Sequence, residues 1–450
     1  MRIMYHIGPW CEKQYKTIVE GIDENAETLQ ISGFRTKDNS NLTNRYYELL
    51  EQNKKKQFIL NELDNDIIKR CRLLRSLKEE EALLHLNSMR QSIKEVFDSF
   101  NPDILVSETI DQYLMDLLFY ECKNRKIPFI GLVVTFIDGY YRISAKGEYN
   151  YSRKSSEKEI NKVINMLLKK DYKPTIISSL FNKSYKKCLK KYILNMLKIP
   201  YFFFRRLPAG EKYNYHYWAS LKLSIGSFQL FPKFNIGEKE FIDKIDKIEK
   251  KKIFIPLQYY PEATIEYWCE ELNVIEYEVK LLEYCKKLSK DFTLIVKEHP
   301  YVLGTRKSDF YKKLLAIDNL IFCPTFEDSN YLVELSDAVF VWTGSVGFES
   351  ALRGKPVITV TKPYYMMGKQ FKQITINTNN NEITNFIKEK TNIITRKEQE
   401  ELVEYLLNGF FPGKYINNAS WKTSNKQDVE DSLNIGKNIR NFICQAKKIK

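Results

Sequence analysis

Residues 337–360 read DAVFVWTGSVGFESALRGKPVITV: an apolar run, a glycine-framed turn, a segment of helical length closed by Gly354, and a second apolar run. Strand, tight turn, helix and strand in that order are the repeating unit of a parallel α/β sheet. Thr343, Gly344 and Ser345 fall where strand passes into helix, so backbone N–H groups and the Ser345 hydroxyl converge there, which suits an anion. Gly347 permits close approach of the helix to a ligand or to the sheet, and Glu349, one turn in, can reach a ribose hydroxyl. The pattern is neither a Walker loop nor GxGxxG, and it gives no support for ATP hydrolysis or a dinucleotide cofactor.

The same register extends upstream. From Lys252, IFIPL predicts a strand and Thr264 to Lys290 a helix, with Glu266, Glu270 and Glu271 early and Lys286, Lys287 and Lys290 late, as the helix dipole favours. FTLIVKEHP reads as strand, Ser308 to Ile317 as helix, NLIFC as strand, and Asp328 to Ser336 as a helix capped by Asp328. With AVFVWTG and PVITV these make five strands of a doubly wound sheet, in which ligands bind outside the carboxyl ends. Lys297, Glu298, His299 and Pro300 fall on that edge, as do Gln258 and Glu262 after the first strand. His299 can hydrogen-bond a phosphate or protonate a leaving phosphate oxygen, and Lys297 adds positive charge. Glu262 either caps the next helix or faces the ligand as base or sugar contact, with Gln258 beside it.

A second α/β domain precedes this one. RIMYHIG, PDILVSE and IPFIGLVV read as strands, a helical region runs from about Asn41 to Phe100 with a break near Ser76, and Gln112 to Arg125 is a helix. Its strand ends offer Glu108 and Asp111, then Asp138 and Arg142, for acid–base work or sugar contact. The expected domains are 1–250, with a helical basic elaboration over about 150–250; 251–395; and a helical tail, 396–450, packing back on the first domain. LDNDII contains a D-x-D of the kind that can hold Mg²⁺ with a nucleotide diphosphate. The helical stripe of Ile59, Leu63, Ile67, Cys71 and Leu74 through it predicts an exposed helix face instead.

At 450 residues the chain is too long for one ordinary core, and 43% hydrophobic content excludes global disorder. The opening MRIMYHIGPW lacks an apolar segment of signal-peptide length and no window reaches ~18 apolar residues, so neither secretion nor a membrane span is expected. Eight cysteines without a CxxC pair read as reduced core residues of a cytoplasmic protein. No His/Cys cluster has zinc-ligand spacing, and no metal or cofactor is expected. The net charge of +14 is concentrated. Residues 182–206 carry eight basic side chains and no acidic one, with Leu189, Tyr192, Ile193, Met196 and Leu197 at helical spacing and a Tyr-Phe-Phe-Phe run after Pro200. That suits a helix lying on an anionic membrane surface; the alternative is a helix packed on its own domain with a basic rim. Basic residues gathered in one helix argue against nucleic acid, which asks for them interleaved with aromatics across a groove.

PLQYYPEATI, VKEHP and TGSVGFESALRGKPVITV, in that order and spacing, resemble the capsule and surface polysaccharide biosynthesis glycosyltransferases, a group that includes bacterial Kdo transferases and is akin to polysialyltransferases. The resemblance spans most of the second domain and touches the first through PDILVSETID and IPFIGLV. It implies a GT-B fold: two Rossmann-like domains facing a cleft, donor nucleotide on the second and acceptor on the first. It further implies that His299 and Pro300, together with Thr343, Gly344 and Ser345, contact the phosphate of a CMP-sugar, and that Glu349 is the helical glutamate of that site. The acidic-acidic-Gly motif of polysialyltransferases is matched in part by IDG at 137–139, where Ile137 replaces an acid, so the base is Asp138 or Glu108. The expected activity is metal-independent transfer of a sugar, such as Kdo or a related acid, to a lipid-linked surface glycan at the inner face of the membrane. Helix N-terminus, histidine and lysine would neutralise the departing phosphate. Rival readings on the same frame are a CDP-polyol phosphotransferase and a sugar-nucleotide epimerase; the non-enzymatic rival is a basic membrane or nucleic-acid binder.

Overall fold

The apolar runs pair into two six-stranded sheets. The computed structural model describes residues 1–8, 10–148, 153–169, 172, 185–207, 211–227, 241–300, 302, 306–390, 393–416 and 420–448. They gather into two units, Met1–Arg153 with Arg205–Ala219 and Asn408–Lys450, and Lys154–Phe204 with Ser220–Leu407.

The sheet of the first unit holds β1 (Arg2–His6), β2 (Glu27–Ile31), β3 (Ile104–Glu108), β4 (Phe129–Val134), β5 (Tyr140–Ile143) and β12 (Phe410–Pro412), in the order β12-β5-β4-β3-β1-β2. β2, β1, β3 and β4 are parallel, while β5 and β12 are added antiparallel. ILVSE and FIGLVV are almost wholly buried because helices cover both faces of a parallel sheet. The helix Lys426–Lys448 joins this core: Ile435, Ile439 and Ile443, four apart on one face, pack with Tyr15, Ile18 and Ile22 of the helix Glu12–Ile22.

The second unit holds β6 (Lys252–Pro256), β7 (Thr293–Lys297), β8 (Leu320–Cys323), β9 (Ala338–Val341), β10 (Val357–Thr359) and β11 (Phe371–Gln373). Their order is β11-β10-β9-β6-β7-β8, and every pairing is parallel. Read from the other edge, the first strand stands between the second and the fourth, the doubly wound order with its switch point at β6 and β9. Phe254, Ile295, Phe340 and Trp342 are fully buried within it.

Several expectations are corrected here. The helix drawn from Thr264 to Lys290 is three pieces, Ala263–Glu266, a 3₁₀ turn at Leu272–Val274 and Tyr277–Leu288. The break turns the Val274 carbonyl toward the Trp342 indole, which donates to it at 3.1 Å. The region from Asn41 to Phe100 also divides, into Leu42–Gln52, Glu62–Arg70 and Glu79–Phe100. Within it the D-x-D is helical but not exposed: Asp64 is buried against Arg90, and Asp66 pairs with Arg70 at 2.9 Å. Among the described side chains six cysteines are buried free thiols and Cys444 is exposed. The helix Tyr185–Arg206 covers most of the basic stretch, whose residues 182–184 lie outside the described ones.

Candidate functional site

β9, β6 and β7 are neighbours, so the three polar strand ends of the second unit meet at one carboxyl edge. Gln258 stands in the middle. Its Nε2 donates to Thr343 Oγ1 at 2.9 Å and its Oε1 accepts the Thr343 backbone N–H at 3.0 Å, a two-point clasp between the β6 and β9 loops. The clasp fixes the turn that enters the helix Ser345–Leu352, whose N-cap is Gly344 with no side-chain cap. The Gly347 N–H bonds the Gly344 carbonyl at 3.0 Å, while the Ser345 and Val346 N–H groups at the helix start have no side-chain cap, an arrangement that suits an anion. Gly347 is required by packing: a Cβ there would stand 2.6 Å from the Tyr365 hydroxyl and 2.8 Å from Val341 Cγ2. Tyr365 in turn donates its hydroxyl proton to the Gly344 carbonyl at 2.6 Å. Burial raises the Glu349 carboxyl above the ordinary carboxylate range, with the Arg353 charge and then Ser345 opposing the rise.

The β7 end is built on a buried ion pair. Arg306 donates from Nε to Glu298 Oε2 at 2.9 Å and from Nη2 to Oε1 at 3.2 Å, and both side chains are fully buried. Nη1 reaches Glu278 at 3.0 Å and Nη2 the Gln258 carbonyl at 2.9 Å. Glu298 also accepts the His299 backbone N–H at 2.6 Å and the Tyr311 hydroxyl. Arg306 thus ties the backbone of His299 to that of Gln258, and through the clasp to Thr343. The half-buried His299 ring stands edge-on to Tyr259 at 5.9 Å, with Pro300 following in the turn. Lys297 is buried, donates to the Thr325 carbonyl at 3.4 Å, and has its pKa lowered to about 8 by desolvation, which Glu298 partly offsets. Glu262 lies just before the short helix Ala263–Glu266 and accepts from the Thr264 hydroxyl at 2.6 Å rather than capping the helix backbone.

In the first unit the candidate bases separate by environment. Glu108, half-buried, ends β3, and desolvation followed by the charge of Asp111 raises its carboxyl to about 7, with Cys11 and Trp10 nearby opposing the rise. Asp111 itself pairs with Arg72 at 3.2 Å. Asp138 is exposed in the turn between β4 and β5, beside Gly139 at φ +83°. Arg142 is buried within β5 and donates from Nη2 to the Gly147 and Glu148 carbonyls, so it holds the following loop and is not a surface ligand for sugar.

Lys297, His299, Gln258, Thr343, Gly344 and Ser345 are therefore brought together by the second sheet, with Gly347 and Glu349 on the helix that leaves it. Reading the sequence missed Arg306, Tyr311 and Tyr365, and Tyr277, whose hydroxyl accepts the Gln258 backbone N–H at 2.9 Å; these hold this edge from behind. The signal available for Arg306 was only its closeness in sequence to Glu298 at the strand end.

A chain of two Rossmann-like α/β units, each sheet carrying polar residues on its carboxyl edge, is of the GT-B class. Residues 199–397 match the model of a family described as capsule polysaccharide biosynthesis protein, the group that the strand-end motifs resemble. No curated protein matches the chain. Among solved structures, a β-Kdo 2,7 transferase, KpsC of Thermosulfurimonas dismutans, is 14% identical with a TM-score of 0.40, over 98% of this chain and 99% of that one. The β-Kdo 2,4 transferase of the same KpsC is 12% identical with a TM-score of 0.34, over 74% and 87%. A UDP-N-acetylglucosamine 2-epimerase from Rickettsia bellii is 14% identical with a TM-score of 0.31, over 100% of both.

Proposed function

We propose that this protein is a glycosyltransferase of capsule or surface polysaccharide synthesis, taking a sugar from a nucleotide-activated donor, a CMP-sugar in the reading we favour, to a glycan acceptor. The observation that carries it is the clasped edge of the second unit. An uncapped helix N-terminus, the Ser345 hydroxyl, His299 and a buried lysine share one sheet edge, and that edge lies inside the segment matching the capsule family. Such a set suits a phosphate that gains charge as its bond to the sugar breaks. Lys297 supplies charge, the helix N–H groups and Ser345 bind phosphate oxygens, and His299 hydrogen-bonds or protonates the departing one. No metal is required by this arrangement. Glu108, ionised above about pH 7, takes the proton of the attacking hydroxyl, the role for which Asp138, exposed in its turn, is the alternative.

The test is product analysis with a panel of nucleotide sugars and glycan acceptors. Acceptor-dependent release of a nucleoside monophosphate from a CMP-sugar supports the reading. Donor consumed without acceptor would mean epimerisation, and a CDP-polyol cleaved to CMP would mean polyol-phosphate transfer.

The same reading holds the enzyme at the inner face of the cell membrane. Among the described residues no helix is long and apolar enough to cross a bilayer. On the helix Tyr185–Arg206, however, Ile193, Leu197, Tyr201 and Phe204 are 44–67% exposed together with Leu194, and spacings of three and four put them on one face. Lys190, Lys198 and Arg205 are exposed around them. An apolar stripe with basic neighbours suits an anionic bilayer surface. Flotation with phosphatidylglycerol vesicles, lost in Leu197→Glu/Phe204→Glu and absent with phosphatidylcholine alone, is the expected result; equal recovery in all arms would remove the membrane role.

A further inference from the structure

The first sheet has a switch point of its own. Its parallel strands run β2-β1-β3-β4, so the winding reverses between β1 and β3, and the crevice outside the carboxyl ends of such a pair is where ligands bind. Tyr5 is level with Val106 in that pair, and His6 Nδ1 stands 3.2 Å from Ser107 Oγ. One step further, the chain leaves β1 through Ile7 and Gly8 alongside Glu108, the last residue of β3. The turn that follows carries Trp10. Of the five tryptophans it is the exposed one, at 37%, and the other four are buried or half-buried.

The indole is held from two sides. It lies over Gly8, where an added Cβ would stand 2.6 Å from its Cζ2, and its ring packs against His216 at 4.9 Å. His216 is backed by Phe34 at 5.6 Å, and Phe34 by Tyr217, edge-on at 5.3 Å. The segment that supplies His216 and Tyr217 is fastened to the turn after β2. The Glu211 carboxylate accepts the Arg35 backbone N–H at 2.6 Å, and Asn214 Nδ2 donates to the Gly33 carbonyl at 2.9 Å. A ring fixed before it meets a ligand loses little freedom on binding. Beside it, Glu108 Oε1 is buried with no hydrogen-bond partner among the described residues. Buried polar atoms are nearly always paired, so this oxygen at a ligand crevice calls for a donor from the ligand. A flat apolar face next to an unmatched acceptor fits a sugar ring, which carries C–H bonds on its faces and hydroxyl donors around its edge. The Glu108 carboxylate, with Asp111 beyond it engaged by Arg72 at 3.2 Å, disfavours a phosphate or an acidic ring at the same place.

We propose that Trp10 is the stacking platform for a neutral sugar ring of the acceptor glycan, one of whose hydroxyls donates to Glu108 Oε1. The sugar site stands on the geometry of the first unit; its use for an acceptor rests on the transferase reading.

The full chain with ¹⁵N-labelled tryptophan gives five indole signals, and the one missing in Trp10→Phe is that of Trp10. The probes are the methyl β-glycosides of glucose, galactose and N-acetylglucosamine, and lactose, with a methyl sialoside and CMP as anionic arms. A neutral glycoside is expected to shift the Trp10 signal, while the anionic arms leave it in place. Its affinity should fall about tenfold in Trp10→Ala and return in large part in Trp10→Phe, as loss and return of an aromatic face require. No neutral glycoside shifting Trp10, a shift produced by CMP or the sialoside alone, or an affinity unchanged in Trp10→Ala overturns the proposal. If a Trp10 variant fails to fold, Gly8→Ala serves instead, because its methyl group displaces the indole, moves its signal and should weaken the same glycoside. In the active enzyme Trp10→Ala should raise the acceptor KM about tenfold and leave the donor KM unchanged. A sugar bound on Trp10 in a protein that turns over no nucleotide sugar would sink the transferase reading alone. Transfer whose acceptor KM ignores Trp10 would sink this platform alone.

Discussion

The half-buried Glu108 and the buried Lys297 have surroundings that move them toward neutral pH from opposite sides, to about 7 and about 8. For Glu108 the folded value lies above the unfolded one of roughly 4.3. Between the two the folded state holds a proton that the unfolded state has released, so stability falls as pH rises through that window, and the cost is complete above about 7. Glu108→Gln should therefore stabilise the fold by about 3 kcal/mol at pH 8 and leave it unchanged at pH 4, checked by urea unfolding at both values. An equal effect at the two values would show that Glu108 is not held against ionisation. Lys297 remains mostly charged below about 8 and neutralises above it. Nucleotide affinity should fall between pH 7 and 9.5, and in Lys297→Met it should be weaker and flat across that range, read by calorimetric titration.

At the scale of elements, the clasped edge depends on side chains that touch no ligand. Arg306→Met would leave Glu298 as an uncompensated buried charge, a loss of about 3–5 kcal/mol, and Arg306→Lys should recover little because an ammonium cannot serve Glu298, Glu278 and the Gln258 carbonyl at once. Gly347→Ala forces apart the helix and Tyr365 and should cost about 1–3 kcal/mol in thermal unfolding. The elements differ in how far the sequence announces them. β3, β4, β7 and β9 are buried on both faces and appear as unbroken apolar runs. β2, ETLQI, lies at a sheet edge with its first residues exposed, and its polar composition hides it; β12 is three residues long and is recruited by pairing with β5. The Thr264–Lys290 segment has the charge distribution of one helix, yet Trp342 takes a carbonyl from its middle, a tertiary demand that no local pattern carries. The site divides in the same way. Residues at strand ends were legible because topology alone places them. Arg306, separated by 48 positions from the Gln258 carbonyl it holds, became visible only through the fold. Arg142 misled because a charged residue after a strand signal turned out to be inside the next strand.

Over the whole molecule, two doubly wound units with different strand orders each offer a switch point, and each carries a distinct set of polar groups: at β6 and β9 a helix start with hydroxyl, histidine and lysine that suits a phosphate, and at β1 and β3 a carboxyl raised toward neutral pH. The central claim is that the β6, β7 and β9 ends bind a nucleotide phosphate. A thermal-shift panel of CMP, CDP, UMP, UDP, GDP and ADP on the wild type, His299→Ala and Ser345→Ala tests it most directly. A nucleotide at ~100 times its dissociation constant adds roughly 2.7 kcal/mol to stability. The account predicts selective stabilisation by CMP that both substitutions abolish. Well-folded protein that responds to no nucleotide, or that responds equally after both substitutions, would contradict it.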